Sequence, residues 1–329
     1  MPTFEINASL KKRFAKDMNL PIAVFDEPYF MQRLKVTDKI IPCLNAWKTF
    51  LDELSEFNSE QDYFEYYNSV KEAVINSIKV KKEYIRFNES NEVMRVIKGV
   101  RGTKRQNLYI PANNGKCFLS IDMRKANFSA LRAYDANIFD NCDTWESFIG
   151  QFTEMRHIIN SKYIRQVIMG ALNPGRQVGY EKHLMTLLNE TIQTLLYTED
   201  DHEANRFAIE YYINDTKLYS LANDEIIFIC DDPVALSNAL KEILPKALKY
   251  VKPLTIDMFR FEPFRLNKIP FDVEGYLKSN LVTGDMTFKC VEVEYFHQVA
   301  KRYLGEEITD DDLVFRHNHR LAKFLRPIC

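Results

Sequence analysis

Two short apolar runs, about a hundred residues apart, each carry a carboxylate at one end. The runs are Phe118–Asp122 (FLSID) and Asn223–Phe228 (NDEIIF). Their apolar and β-branched residues favour strands, and a strand can hold a side chain rigidly at its end. When two such strands lie side by side, Asp122 and Asp224 come close enough to share divalent metal ions. The sequence therefore predicts neighbouring strands that present a pair of carboxylates.

A pair of carboxylates held in this way suits two-metal phosphoryl-transfer chemistry. In that chemistry two metal ions, about 4 Å apart, clamp the attacking and leaving oxygens. Mg²⁺ fits such a site because it binds through one or two carboxylates and substrate phosphates while keeping several of its waters. Asp122 and Asp224 are therefore the candidate ligands of two Mg²⁺ ions.

The length and composition limit which class of protein the chain can belong to. With 329 residues, of which 46% are hydrophobic and 13% aromatic, the chain can bury a large core and form one to three domains. No apolar stretch approaches the roughly 18 residues of a membrane span, and the N-terminus lacks the charged-then-apolar order of a secretion signal. We therefore expect a cytoplasmic protein without a membrane partner.

The cysteine spacing and the net charge limit which metals and nucleic acids the protein can be expected to bind. The six cysteines include no CxxC pair, which fits reduced thiols and argues against a zinc or disulfide framework. A net charge of −2 argues against a protein coated in basic surface. The stretch Lys79–Arg105 departs from this balance, with nine basic residues against three acidic ones. Such a run is either a solvated surface or a local binding site for nucleic acid.

The order of the expected elements indicates an α+β fold. Residues 1–95 show apolar positions at helical spacing, and residues 96–115 are rich in turn formers. Residues 143–220 are expected to be helical, with an interruption at Asn173-Pro174-Gly175. The remaining expected elements are strands at 116–122, 225–230 and 254–264, a helix that begins over 129–134, helices at 233–250 and 294–303, and a hairpin at Thr283-Gly284-Asp285. Strands and helices alternate without a strict βαβ rhythm, which favours the α+β class.

Four pieces of the chain, taken in order, resemble the ordered motifs of family A DNA polymerases. In the first, Arg101-Gly102 and Asn107–Pro111 (NLYIP) resemble the TGR element and the NLQNIP of that family. In the second, Leu119–Arg132 resembles motif A, DYSQIELR, and places its metal-binding aspartate at Asp122. In the fourth, Asn223-Asp224-Glu225 resembles motif C, His-Asp-Glu, with asparagine in place of histidine. The resemblance covers roughly residues 98–230.

The third piece, Arg156–Gly175, stands in the position of the fingers helix that meets the triphosphate of the incoming nucleotide. Its candidate cations are Lys162, Arg165 and Arg176, and no tyrosine stands where the family has one. Lys162 and Arg165 lie one helical turn apart and can both face the triphosphate, or both form part of a solvated helix face. The family's motif A glutamate, which helps exclude the ribose 2′-hydroxyl, falls on Asn127 among the nucleotide-binding candidates.

The resemblance implies a fold and its parts. It implies a polymerase-like palm with an antiparallel sheet over residues 96–329, with reduced helical fingers at about 143–220. Residues 1–95, which are too few for a full thumb, form a small helical N-terminal region. A palm with reduced fingers suggests a minimal viral or mobile-element enzyme, located in the host cytoplasm if viral, with a processivity partner as an expected helper.

The resemblance also implies an activity and the residues that perform it. The activity is that of a magnesium-dependent nucleotidyltransferase, similar to a DNA-directed DNA polymerase, which uses nucleoside triphosphates to extend a nucleic-acid 3′-end in DNA replication. Asp122 and Asp224 bind two Mg²⁺ ions, and Glu225 lies beside these metals. The residues that grip the primer or template are Arg101, Lys104, Arg105 and Asn107.

Two other functions remain open from the sequence. A catalytically silent relative would keep the palm and bind nucleic acid in replication, which Asn127 and the missing tyrosine favour. The retained pair of Asp122 and Asp224 opposes it, because unpaired carboxylates close together repel. A template-independent nucleotidyltransferase would be expected to have reduced fingers, and transfer of labelled nucleotides to a single-stranded primer separates it from a copying enzyme.

Overall fold

The computed structural model describes residues 2–100, 104–197, 216–318 and 320–329. This part of the chain contains thirteen α-helices and a six-stranded antiparallel sheet, so the predicted α+β class is confirmed. Among the described residues, no helix combines the length and the apolar character needed to cross a bilayer.

Six helices form the N-terminal region. They are α1 (Ala8–Asp17), α2 (Tyr29–Asp38), α3 (Leu44–Leu54), α4 (Glu60–Lys79), α5 (Lys82–Glu89) and α6 (Asn91–Gly99). The side chains of Asn7, Ser59 and Ser90 accept backbone N–H bonds in the first turns of α1, α4 and α6, and so satisfy donors that a helix leaves unpaired.

Aromatic rings fill the core of this helical region. The ring centroid of Phe14 in α1 lies 4.9 Å from that of Trp47 and 5.5 Å from that of Phe50, both in α3. Phe50 in turn meets Tyr63 of α4 edge to face at 5.9 Å. These rings are buried, so their packing contributes to the stability of the helical region.

The sheet has the strand order β2-β3-β1-β4-β5-β6, and each neighbouring pair is antiparallel. The strands are β1 (Cys117–Met123), β2 (Lys217–Leu221), β3 (Glu225–Ile229), β4 (Phe259–Lys268), β5 (Tyr276–Asn280) and β6 (Met286–Lys289). The central strand β1 therefore pairs with β3 on one side and with β4 on the other.

The two faces of the sheet have different surroundings. Leu119 and Ile121 face the main hydrophobic core, where α12 (Pro233–Leu248) packs against β1 and β4. Phe118 faces the opposite side and stacks on Phe264 of β4 in a smaller apolar cluster. Because side chains alternate along a strand, Asp122 belongs to the same face as Phe118.

Five helices follow β1 in the chain, and they link the sheet to the N-terminal region. They are α7 (Ala126–Tyr134), α8 (Trp145–Ile149), α9 (Arg156–Ile159), α10 (Lys162–Gly170) and α11 (Pro174–Tyr197). α11 packs against both α6 and α7. One continuous core runs from Leu10 in α1 to Phe259 in β4, and the domain boundary predicted after residue 95 falls within α6.

The C-terminal part consists of α13 (Val293–Tyr303) and a hairpin of β7 (Val314–His317) and β8 (Arg320–Lys323). α13 packs against α2. Arg33 of α2 donates to the carbonyl oxygens of Asp311 and Val314, at 3.2 and 2.7 Å. These bonds tie the end of the chain to the N-terminal helices.

Most predicted elements are confirmed, but several predicted bounds are wrong. The helical range predicted up to residue 220 ends earlier, because Lys217–Leu221 forms β2, a strand too short to show a clear period. The strand predicted from residue 254 begins at Phe259, since a 3-10 turn at Ile256–Met258 precedes it. The irregular stretch predicted from residue 96 begins only after Gly99. The predicted helix over residues 198–215 lies outside the described residues.

We predict that Phe14→Ala destabilises the protein by about 3–5 kcal/mol, the usual cost of removing a buried aromatic ring. The side chain of Phe14 is 1% exposed and contacts two other rings, so its loss leaves a cavity. Urea denaturation measures the free energy of unfolding. Val80→Ala is the control, because Val80 is 74% exposed and its change is expected to stay within about 0.5 kcal/mol. Equal stability of the two variants would contradict the assignment of Phe14 to the core.

Candidate functional site

The ends of β1 and β3 bring Asp122 and Asp224 together. Asp122 lies opposite Glu225 in the antiparallel register, and the N–H of Met123 donates to the carbonyl oxygen of Asp224 at 2.8 Å. Asp224 belongs to the tight turn between β2 and β3, which a bond from the N–H of Ala222 to the carbonyl of Glu225 closes. The chain reversal thus fixes Asp224 beside the end of β1.

Asp122 lies in a crowded electrostatic environment. Its side chain is 28% exposed, and Nη2 of Arg260 on β4 lies 3.2 Å from its Oδ2. Burial raises the pKa of Asp122 to about 6; Arg260 opposes the rise, and the charges of Glu225 and Asp224 add to it. Neighbouring carboxylates repel one another when ionised, so the end of β1 favours a bound cation.

A cleft of about 1200 Å³ opens between this end of the sheet and the helices α7, α8, α10 and α11. Both predicted metal ligands and all three predicted nucleotide-binding residues line it: Asp122, Asp224, Asn127, Lys162 and Arg165. These residues come from three separate stretches of the sequence. Their convergence on one cleft is what the sequence-based assignment of the site requires.

Glu225 is oriented differently from its neighbour Asp224. The carboxylate of Glu225 accepts a hydrogen bond from Oγ of Ser120 at 2.5 Å, across the pair of β1 and β3. Glu225 is absent from the described lining of the cleft, whereas Asp224 is part of it. Glu225 therefore affects the site as a neighbouring negative charge on the same face of the sheet, which helps to raise the pKa of Asp122.

Two of the three candidate cations of the predicted fingers helix line the cleft. Lys162 is exposed there, while burial lowers the pKa of Arg165 and the charge of Glu146 opposes that shift. The Nε–H of Arg165 is buried and has no hydrogen-bond partner among the described residues. Arg176 is engaged elsewhere, because its guanidinium donates to the carbonyl oxygen of Ser90. Of these two cations, Lys162 is exposed, whereas Arg165 is partly buried and its Nε–H has no partner among the described residues.

A buried hydrogen-bond network fixes the start of α10. Ser161 caps this helix by accepting from the N–H of Ile164, and its hydroxyl donates to Oδ1 of Asp17 at 2.6 Å. The hydroxyl of Tyr67 donates to the same oxygen at 3.0 Å, and Nε of Arg13 lies 3.0 Å from Oδ2. The N-terminal region therefore determines where the first turn of α10 presents its side chains.

Sequence reasoning missed Glu181, which lies in α11 and lines the same cleft. Its Oε1 accepts a hydrogen bond from Nδ2 of Asn127 at 3.2 Å. Burial, together with the charge of Asp224, raises the pKa of Glu181 to about 7. A glutamate in a long amphipathic helix carries no sequence signal of its own, because only the packing of α11 against α7 places it here.

The sequence-based prediction also omitted Arg260, although charged residues alternate with apolar ones along β4 and so indicate a polar face. Arg260 and Glu262 lie on the face of the sheet that carries Asp122, and Lys278 of β5 contacts Glu262 at 2.9 Å. Arg260 also approaches Glu262 at 3.8 Å. Charged residues at alternate positions of a strand indicate a polar face, and this face continues from the candidate site across β4 and β5.

The residues predicted to grip nucleic acid lie along the edge strand β2. Nζ of Lys104 donates to the carbonyl oxygen of Leu218 at 2.6 Å, and the carbonyl of Asn107 accepts from the hydroxyl of Tyr219, also at 2.6 Å. Arg105 donates to the side chain of Asn223 at 2.7 Å. The structure thus brings Arg105 next to the turn of Asp224, while Lys104 and Asn107 hold their own segment against β2.

The basic run at 79–105 is partly neutralised. Arg86 lies 2.5 Å from Asp135, and Arg95 lies 3.6 Å from Glu92. These pairs favour the solvated-surface interpretation for this part of the run. Arg101, the remaining residue predicted to bind nucleic acid, lies outside the described residues.

The donors at the strand ends fit Mg²⁺ better than a softer metal. Within the described residues, no group of three or more His, Cys, Asp or Glu side chains forms a ready metal site. Mg²⁺ needs fewer protein ligands, because substrate phosphates and water complete its coordination. Asp122 and Asp224 supply oxygen donors of the required type, and burial, with smaller contributions from the charges of Glu225 and Asp224, raises the pKa of Asp122.

Comparison with known proteins gives no match: no family model, no curated protein and no solved structure is significantly similar to the chain.

We predict that Glu181→Gln stabilises the protein selectively at high pH. The pKa of Glu181 in the folded protein, about 7, exceeds its ordinary value of 4.5, so folding favours the protonated form. The contribution of this group to stability is full below pH 4.5 and is lost as the pH rises to 7. Relative to wild type, the variant should gain up to about 3 kcal/mol across this window.

Urea denaturation of both proteins below pH 4.5 and above pH 7 measures this difference. The glutamine keeps an oxygen that can accept from Asn127. Glu190→Gln, at an exposed position of the same helix, is the matched control and should show no such change with pH. An equal difference between wild type and Glu181→Gln at both pH values would contradict the burial of a titrating Glu181.

Proposed function

We propose that this protein is a magnesium-dependent nucleotidyltransferase, resembling the family A DNA polymerases, which adds nucleotides to a nucleic-acid 3′-end. One observation carries the proposal. Asp122 and Asp224, which lie on adjacent antiparallel strand ends, line the same cleft as the cations Lys162 and Arg165. Paired carboxylates facing a pair of cations are what a site for a metal-bound nucleoside triphosphate needs.

The cations of α10 bind the triphosphate in this proposal. Lys162 provides an exposed point charge, and Arg165 provides a guanidinium whose Nε–H has no partner among the described residues. A phosphate oxygen would satisfy that buried donor and offset the burial that lowers the pKa of Arg165. Because the network around Asp17 and Ser161 fixes the start of α10, the two cations are positioned before the nucleotide arrives.

Asp122 and Asp224 hold the metal ions. Bound Mg²⁺ would lower the charge on the α-phosphate and favour attack by the primer 3′-hydroxyl, with pyrophosphate as the leaving group. Ionisation of Asp122 is a condition for this role, and its pKa of about 6 meets the condition at neutral pH. Asn127 and Glu181 form the wall of the cleft beside Asp224, where the nucleotide sugar would lie.

The fold is compatible with a polymerase-like palm. The antiparallel sheet carries the carboxylates at one end, its core-facing side is covered by helices, and its other side is polar beside Asp122. In this interpretation α8–α11 are the reduced fingers, and α1–α6 are the helical N-terminal region that supports α10.

We predict that Asp122→Asn and Asp224→Asn each reduce primer extension at least about 100-fold, because each removes a ligand charge from the metal site. Extension is measured with Mg²⁺, on templated and untemplated primers, with ribonucleotides and deoxynucleotides supplied separately. The preferred nucleotides identify the product, and the dependence on template separates a copying enzyme from a template-independent one.

Asp231→Asn is the matched control, since Asp231 is an exposed carboxylate just beyond the opposite end of β3. This variant should extend primers as wild type does. Normal extension by Asp122→Asn or Asp224→Asn would refute the two-carboxylate site, whatever the nucleotide used.

A second function, a catalytically silent nucleic-acid-binding protein of replication, is favoured by the contact between Arg260 and Asp122. The guanidinium already neutralises part of the charge that a metal ion would neutralise. For this function, wild type would bind primers equally well with Mg²⁺ and with a chelator, and would not extend them. Extension that requires Mg²⁺ would exclude it.

A further inference from the structure

A second groove, of about 900 Å³, lies between α1, the chain that follows it, and α10. α1 ends where Asn19 adopts a left-handed conformation (φ 54°), and the N–H of Leu20 donates to the carbonyl of Ala15 at 2.8 Å. This reversal places residues 20–25 as the wall opposite α1, while Lys162, Tyr163 and Gln166 of α10 form the third wall.

The charge of this groove is of one sign. Its cations are Lys12, Lys16, Lys162 and Arg316, and none of its described lining residues is acidic. The three lysines make no ion pair with any described residue, and all three are exposed. Arg316 contacts Asp26 at 3.2 Å. Lys12 and Lys16 stand at i and i+4 of α1, a spacing at which like charges repel. An anionic ligand would relieve that repulsion.

The groove also offers aromatic surface. Tyr163 and Phe25 both contribute to its lining and are only partly buried. The ring of Tyr163 is fixed by cations, with the guanidinium of Arg13 at 4.1 Å and Nζ of Lys16 at 5.5 Å from its centroid. Cations that follow a backbone, combined with aromatic rings for bases, are the usual components of a binding site for single strands.

The groove adjoins the cleft of the candidate active site. Lys162 and Gln166 line both, so α10 is their common wall. A strand lying in the groove would therefore reach the cleft at Lys162, beside the carboxylates.

We propose that this groove binds a single-stranded nucleic acid and leads it to the cleft, an inference that rests on the proposed function and names the path of its polymer substrate. The lysines contact phosphates, and Tyr163 and Phe25 stack on unpaired bases. A duplex presents no free base faces to such rings and binds more weakly.

Fluorescence anisotropy with labelled oligo(dT) tests the inference on the full chain, in EDTA and without nucleotides. The variant Lys12→Ala/Lys16→Ala is expected to bind about tenfold more weakly at low salt, with a log–log salt slope shallower by about 1.4. Lys246→Ala/Lys249→Ala, at exposed positions near the end of α12 and outside both clefts, is the control and should match wild type. Thermal unfolding verifies that both variants are folded.

Several outcomes would overturn the inference. One is wild-type affinity for oligo(dT) in the groove variant. Another is a duplex that binds as tightly as the single strand and with the same dependence on the lysines. A third is displacement of the oligonucleotide by polyglutamate or inorganic phosphate at similar concentrations, which would identify a general anion site.

The test is independent of catalysis. Asp122→Asn/Asp224→Asn is expected to bind oligo(dT) in EDTA at least as tightly as wild type, because the groove contains neither residue and the change removes negative charge beside the strand. Lysine-dependent binding without primer extension would refute the proposed activity and support the groove. Primer extension without lysine-dependent binding would support the proposed activity and refute the groove as the path of the strand.

Discussion

The pairing of β1 with β3 is the contact on which the candidate site depends. A single backbone bond, from the N–H of Met123 to the carbonyl of Asp224, joins the end of one strand to the turn that precedes the other. Because side chains alternate along a strand, a slip of one residue would turn Asp122 into the helical core and Leu119 onto the polar face. Burial of Leu119 and Ile121 on the core side therefore holds the carboxylates in place.

The N-terminal helices contribute to the site through α10. Asp17 accepts hydrogen bonds from Ser161 and Tyr67 and pairs with Arg13, and burial outweighs these partners and raises its pKa. A buried carboxylate is costly unless its partners are complete, so this network is sensitive to any shift of α10 relative to α1. The same two helices form the basic groove. The N-terminal region thus supports the cations of the cleft and supplies a second charged surface beside them.

The sequence predicts best those features of the site that depend on residues neighbouring in the chain. The position of Asp122 and Asp224 at neighbouring strand ends could be predicted, because each adjoins an apolar run whose strand character follows from a few neighbouring residues. Glu181 could not be predicted, since only the packing of α11 against α7 brings it to Asn127. The contacts of Lys104 and Asn107 with β2 could not be predicted either, since the five residues of that strand give no clear pattern.

The central claim is that Asp122 and Asp224 form one metal site, and a crystal soaked with Mn²⁺ and a non-hydrolysable nucleoside triphosphate tests it most directly. Mn²⁺ accepts the same oxygen ligands as Mg²⁺ and is visible by anomalous scattering. The account predicts an anomalous peak within coordination distance of both carboxylates, with the triphosphate against Lys162 and Arg165 and the guanidinium of Arg260 displaced from Asp122. Nucleotide bound without metal at these carboxylates, with Arg260 still in contact with Asp122, would contradict it.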